Sequence, residues 1–172
     1  VAGRPATRTG RQQRGSKMNT LVIYDSKFGN TEKVAQAIAE VLQAHGLVRL
    51  VPVAEAETVT LDGVDLLAAG GPTQGHGISP AMTAWLTNLP RAAAQGLPTV
   101  TFDTRFRKPA WLTGSAAHSL AKRLEQHGCR MLVPPESFFV AGTEGPLEDG
   151  ERDRAAAWAR DIAARLPVAA PA

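Results

Sequence analysis

From residue 19 onward, short β-branched and apolar runs alternate with longer segments whose apolar residues recur at helical spacing. Unbroken apolar runs of roughly four to eight residues suit strands buried on both faces, whereas a helical stripe buries one side only. Strands are predicted over 20–24, 47–53, 65–69 and 99–103. A fifth is predicted over 130–140, with a break at Pro134 and Pro135, because adjacent prolines remove two ladder donors. Over 31–44 the residues Val34, Ala35, Ile38, Ala39 and Leu42 form one stripe, and Gly46 supplies the stop. Ser79 and Pro80 read as the N-cap and first-turn residue of a second helix, with Met82, Trp85, Leu86 and Leu89 inward and Pro90 ending it. A third helix follows Thr113 and turns Ala117, Leu120, Ala121 and Leu124 inward before Gly128. The last begins near Asp149, buries Trp158, Ile162 and Leu166, and stops at Pro167. Segment 54–63 is too short and mixed for a helix and is read as a loop or a single turn. Alternation of this kind is the sequence form of repeated βαβ units, hence of a three-layer α/β/α domain on a parallel sheet.

At 172 residues the chain suits one domain, placed at 19–167, and a core of that size needs no covalent staples. The formal charge of +3 alters this picture less than it suggests. Arg4, Arg8, Arg11, Arg14 and Lys17 all precede Met18 with no acidic residue among them, and taking these five away leaves −2. The body is mildly acidic, which argues against a nucleic-acid surface on the fold. Residues 1–18 read as a disordered basic arm, or as sequence upstream of a start at Met18; 168–172 is a short tail. Cys129 is the single cysteine, so a disulfide or a CxxC redox pair within the chain is excluded and a reducing, cytoplasmic setting is expected. No apolar run reaches the roughly 18 residues of a membrane span.

The chemistry concentrates in loops that follow strands. Between the first strand and first helix stands Tyr24-Asp25-Ser26-Lys27-Phe28-Gly29-Asn30-Thr31. A helix N-terminus carries about half a positive charge and unpaired N–H donors, so a loop feeding it is an anion site. Ser26 and Thr31 add hydroxyls, Asn30 an amide, and Gly29 lets the backbone curl without a Cβ. The loop lacks the GxGxxG fingerprint, and where 70–75 has the glycine spacing of a P-loop, His76 stands in place of Lys. A polar turn that merely caps a helix would show the same residues. His45, His118 and His127 are read as solvated or helix-capping, Cys129 as a buried small hydrophobe, and 142–147 as a turn without a chemical signal of its own.

Ser26, Gly29, Asn30 and Thr31 match the [ST]-x-T-G-N-T phosphate loop of the flavodoxin family, which the chain resembles over 19–166; Phe28 replaces one hydroxyl residue. The resemblance implies the strand order 2-1-3-4-5 and an FMN cofactor at the carboxyl ends of the strands. It places Ser26, Lys27, Phe28, Gly29, Asn30 and Thr31 around the phosphate. Pro72, Thr73, Gln74, Gly75 and His76 then contact one side of the flavin, with Gly75 as the peptide that turns toward N5 and Gln74 where the family often has an aromatic. Asp103, Thr104, Arg105, Phe106 and Trp111 cover the other ring face, Trp111 or Phe106 stacking on it. Arg105, Arg107 and Lys108 stand where such proteins carry acidic residues, which favours anionic reduced flavin and hence a milder potential, or else an anionic substrate or acidic partner at that rim. The implied function is electron transfer, flavin passing between oxidised, semiquinone and reduced states, with a redox protein or a small electron acceptor as partner. Two alternatives are a flavin-dependent reductase or protoporphyrinogen-oxidase-like enzyme, and a flavin-free interaction module. The sequence does not specify an oligomeric state.

Overall fold

Two sets of side chains alternate along the first strand and decide the layering. The computed structural model describes residues 17–166, so expectations for residues 1–16, for the stop at Pro167 and for the tail lie outside the described residues. Strand β1 (Met18–Tyr24) turns Leu21 and Ile23 to one face and Val22 and Tyr24 to the other, all buried. Against Val22 and Tyr24 pack α1 (Asn30–Leu42) and α6 (Glu151–Arg165). Against Leu21 and Ile23 pack α2 (Pro80–Thr87), α5 (Ala116–Gln126) and the 3-10 turn at Val53–Thr58. The sheet is therefore covered on both sides, and the α/β/α prediction holds.

The remaining strands are β2 (Gly46–Pro52), β3 (Leu66–Pro72), β4 (Pro98–Arg105), β5 (Arg130–Met131) and β6 (Glu136–Phe139). All pairings are parallel and run β2-β1-β3-β4-β5, with β6 also on β4. The fifth position in the sheet is thus filled by two short pieces, β5 at the start of β4 and β6 at its end, separated at Leu132, Val133, Pro134 and Pro135. This is the break expected at the prolines.

Several boundaries move, each because a partner strand extends them. β3 runs on through Gly70, Gly71 and Pro72, and β4 through Thr104 and Arg105, because Gly70, Gly71 and Pro72 pair with Phe102, Asp103 and Thr104 and β6 pairs with 102–105. Segments read as loop are ladder, so the functional loops begin later than predicted. Gly70 is fixed by packing, since a Cβ there would fall on the Phe102 ring. Gly46 is extended rather than a left-handed stop; it opens β2 beside Met18, which itself begins β1 two residues before the predicted start. The second helix ends at Thr87, followed by a single turn α3 (Arg91–Ala94), and another single turn α4 (Ala110–Thr113) precedes α5. Such one-turn pieces carry too few periodic positions to be read from a sequence.

The predicted inward residues of α1, α5 and α6 are buried, as are Met82, Leu86 and Leu89; Trp85 is half-buried. Trp158 joins α6 to the sheet, meeting Phe102 and Phe138 edge-on at centroid distances of 6.3 and 6.0 Å. Pairs of this geometry contribute about 0.5–1.5 kcal/mol each beyond the area they bury. Cys129 is buried, and burial pushes its thiol pKa up, which disfavours the nucleophilic thiolate. His45 and His118 are exposed, whereas His127 is half-buried with its Nδ1 enclosed.

Candidate functional site

β1 departs to β2 on one side and to β3 on the other, so the loops after β1 and β3 separate and leave a crevice at the carboxyl end of the sheet. The first of these loops turns at Gly29, whose φ of +83° caps α1 in a left-handed conformation that a side chain would strain. Ser26 Oγ accepts the Glu32 N–H at 3.3 Å, which leaves its own proton free to donate. Among the described residues, nothing accepts from the main-chain N–H groups of Lys27, Phe28, Gly29, Asn30 or Thr31. Five orphan donors at the positive end of a 13-residue helix are an anion cradle.

The two side chains expected to assist are already engaged. Asn30 Nδ2 donates to the Glu144 carbonyl at 3.1 Å, and Thr31 Oγ1 lies 2.7 Å from Thr104 Oγ1 in a buried hydroxyl pair. They clamp the loop to β4 and to the segment after β6, leaving anion contact to main chain, Ser26 and Lys27. Two carboxylates, Asp25 and Glu32, flank the loop. Tyr24 Oη donates to Glu32 Oε1 at 3.2 Å, and burial, reinforced by that carboxylate, raises the phenol pKa.

The cradle opens on a cavity of about 350 Å³ lined by Ser26, Lys27, Phe28, Asn30 and Thr31 from the first loop and by Pro72, Thr73, Gln74, Thr104 and Phe106 from the next two. Val140 and Thr143 complete it. These two carry no sequence motif; the signal for them was their place at the end of the fifth strand and just after it, at the same sheet end as the other loops, and of the segment 142–147 Thr143 lines the cavity. Gly29, Gly75, His76, Asp103, Arg105 and Trp111 do not line the cavity.

Their places explain why. Gln74 and Gly77 exchange N–H···O bonds of 2.9 Å around a tight turn in which Gly75 and His76 have φ of +48° and +73°. The His76 backbone rests on Gly114, where a Cβ would collide with the His76 carbonyl, so the second and third loops are in contact. Asp103 has no exposed surface, and its Oδ2 accepts from Ser115 Oγ (2.7 Å), the Ala117 N–H (3.0 Å) and Thr73 Oγ1 (3.1 Å). It ties β4, the second loop and the start of α5 together from behind the cavity. Arg105 bridges β6 and its own loop, with Nε on Ser137 Oγ at 2.9 Å and Nη1 on the Lys108 carbonyl at 2.6 Å. Trp111 is 85% exposed on α4.

The residues present fit a phosphorylated aromatic ligand: orphan donors at one end of the cavity, and Pro72, Phe106 and Val140 among its walls. No helix among the described residues is long and apolar enough to cross a membrane. No curated protein matches the sequence significantly. Among solved structures the chain is similar to a flavodoxin from the Archaea (20% identity, TM-score 0.69), covering 86% of this chain and 98% of that one. It is also similar to oxidised flavodoxin 1 from Bacillus cereus (17% identity, TM-score 0.73), covering 87% and 99%. A third similarity is to rubredoxin oxygen:oxidoreductase from Desulfovibrio gigas (18% identity, TM-score 0.66), where 90% of this chain covers 38% of that one. Identities this low carry the fold alone. The family profile described as Flavodoxin matches residues 22–158, from the third buried residue of β1 to the Trp158 that locks α6 onto the sheet, and with that match the chain belongs to the flavodoxin family of FMN-binding proteins.

Proposed function

We propose that this chain holds FMN by its phosphate in the 26–31 loop and passes electrons between the flavin and a redox partner. The observation that carries the reading is the row of unaccepted N–H groups from Lys27 to Thr31, opening on a cavity at the sheet's switch point. Ser26 and Lys27 add a hydroxyl donor and a cation there. Pro72, Thr73 and Gln74 from one loop and Thr104 and Phe106 from another border the space available to the ring, and Asp103 and Gly29 hold that border in shape. Bound FMN supplies one- and two-electron chemistry; the chain positions it and sets the charge around it. Gly75 lies in the turn beside the cavity, where a Cβ would meet nothing within 4 Å, and is the peptide that the family resemblance implies turns toward N5.

The test is whether binding depends on the phosphate. Two charge-assisted hydrogen bonds, at about 1.5 kcal/mol or more each, separate FMN from riboflavin by about 100-fold in Kd. Fluorescence titration of the apoprotein with both ligands measures this ratio, and equal affinities would remove the phosphate loop from the mechanism. The internal engagement of Asn30 and Thr31 favours a second reading, a flavin-free interaction module on the same fold. A protein that takes up neither ligand supports it.

A further inference from the structure

Five large apolar side chains are exposed among the described residues, and four of them, Phe28, Phe106, Trp111 and Leu112, belong to two of the four loops that border the cavity. Leu47, on β2, is the fifth. Apolar exposure concentrated in one place, rather than scattered singly, marks an interaction site. The segment that presents Trp111 is held from below. Arg105 Nη1 bonds the carbonyl of Lys108, the turn α4 is closed by Leu112 N–H on the Pro109 carbonyl (2.9 Å) and Gly114 N–H on the Ala110 carbonyl (2.7 Å), and Arg107 stacks 4.2 Å above Phe139. Trp111 is therefore displayed on a fixed platform, which lowers the ordering cost of binding.

The charge around it has one sign at the front and both behind. Residues 104–115 contain Arg105, Arg107 and Lys108 and no acid, and Lys27 lies on the other loop. Glu148 and Glu151 face Arg107 at 2.7 and 3.7 Å and offset its charge. Glu144, Asp25 and Glu32 belong to the phosphate-loop side. Among the described residues no carboxylate lies within 4.0 Å of Lys27 or Lys108, and both are exposed. Three exposed cations fall short of the roughly four to eight that hold a protein on an anionic bilayer. Tryptophan is among the residue types enriched at interface hot spots, and a nearby unpaired lysine supplies the charge that steers a partner of opposite sign.

We propose that the 106–112 segment, with Lys27 and Phe28 across the cavity mouth, is the docking surface for an acidic electron-transfer protein. Trp111 and Leu112 enter an apolar recess on that partner, while Lys108 meets carboxylates at its edge. The inference rests on the electron-transfer reading above, deepening it with a partner class opposite in charge to the one an acidic flavin rim would choose.

An acidic plant-type [2Fe–2S] ferredoxin is the probe. Mixed anaerobically in reduced form with the FMN-loaded protein, two ferredoxins deliver the two electrons that reduce one flavin. The second-order rate falls about tenfold as ionic strength rises from about 20 to 300 mM, as for opposite charges. Lys108→Glu lowers the low-salt rate and flattens that dependence, and Trp111→Ala lowers the rate severalfold with FMN affinity within about twofold of the parent. A rate that rises or stays flat with salt overturns the proposal. So does a Trp111→Ala variant with FMN affinity weakened about tenfold, which makes Trp111 a ring contact, or self-association that disappears in that variant, which makes the patch a homodimer surface. Binding of labelled oxidised ferredoxin to the flavin-free protein runs in parallel: salt-sensitive binding weakened by Lys108→Glu upholds the docking surface even where FMN titration fails the parent reading, and no binding overturns it.

Discussion

Asp103 shows how one residue sets the positions of several loops. Its side chain is wholly enclosed, and one carboxylate oxygen serves three donors from two different segments. Replacement by alanine leaves Ser115 Oγ, the Ala117 N–H and Thr73 Oγ1 without that acceptor, and each buried donor left unmade costs about 1–3 kcal/mol. Asp103→Ala is expected to lose about 3 kcal/mol or more by urea denaturation and to weaken FMN binding, while Asp103→Asn, which keeps an acceptor oxygen, loses less. A change below about 1 kcal/mol in the alanine variant contradicts this role. At this scale the sequence was partly legible. The place of Ser26 and Lys27 at the cavity and of Gly29 at the start of α1 was readable because strand, turn and helix signals bracket them. That Asn30 and Thr31 would spend their side chains on Glu144 and Thr104 was not, since those partners lie 114 and 73 residues away.

At the scale of the element, the start of α6 carries the clearest electrostatic device. Glu151 is buried in the first turn of the helix and accepts from the Phe139 N–H at 2.8 Å and from Arg154 at 2.7 Å. Burial alone would raise its pKa, but hydrogen bonds from Arg154 and Phe139 and the charges of Arg154 and Arg107 bring it below the usual carboxylate value. A carboxyl whose folded pKa lies below its unfolded value of about 4.3 stabilises the fold above that value, and loses the contribution as pH falls through the folded pKa. Glu151→Gln is therefore expected to be less stable than the parent near neutral pH, with the gap closing below about pH 4; thermal melts across pH 3 to 7 measure it, and parallel profiles would exclude the ion pair as the cause. Helices with a full stripe, α1, α5 and α6, were legible for the same reason that they pack: periodic apolar positions are visible and buried. The single turns α3 and α4 were not, because a four-residue helix is stabilised by its surroundings and not by its own pattern.

For the whole molecule, binding and folding are linked. A ligand that occupies the cavity between the strand ends contacts segments from four separate loops, so it stabilises the assembled domain rather than one piece. At about 100 times Kd, FMN adds about 2.7 kcal/mol. For a chain of this size that is a rise of about 5–10 °C in Tm, readable by calorimetry, and the absence of any shift would separate this chain from FMN. Layering and strand order were legible because alternating strand and helix patterns allow few right-handed arrangements. The extension of β3 and β4 beyond their apolar runs was not, since it depends on pairing between Gly71 and Asp103 and between Arg105 and Phe139. The interruption between β5 and β6 reaches beyond this molecule. Pro134 and Pro135 sit at the outermost row of the sheet and offer no N–H to an approaching chain, so this margin is a poor template for intermolecular ladders. Replacing both with threonine would straighten the row into a longer, sticky border, and the cost would appear as aggregation at high concentration more than as lost stability.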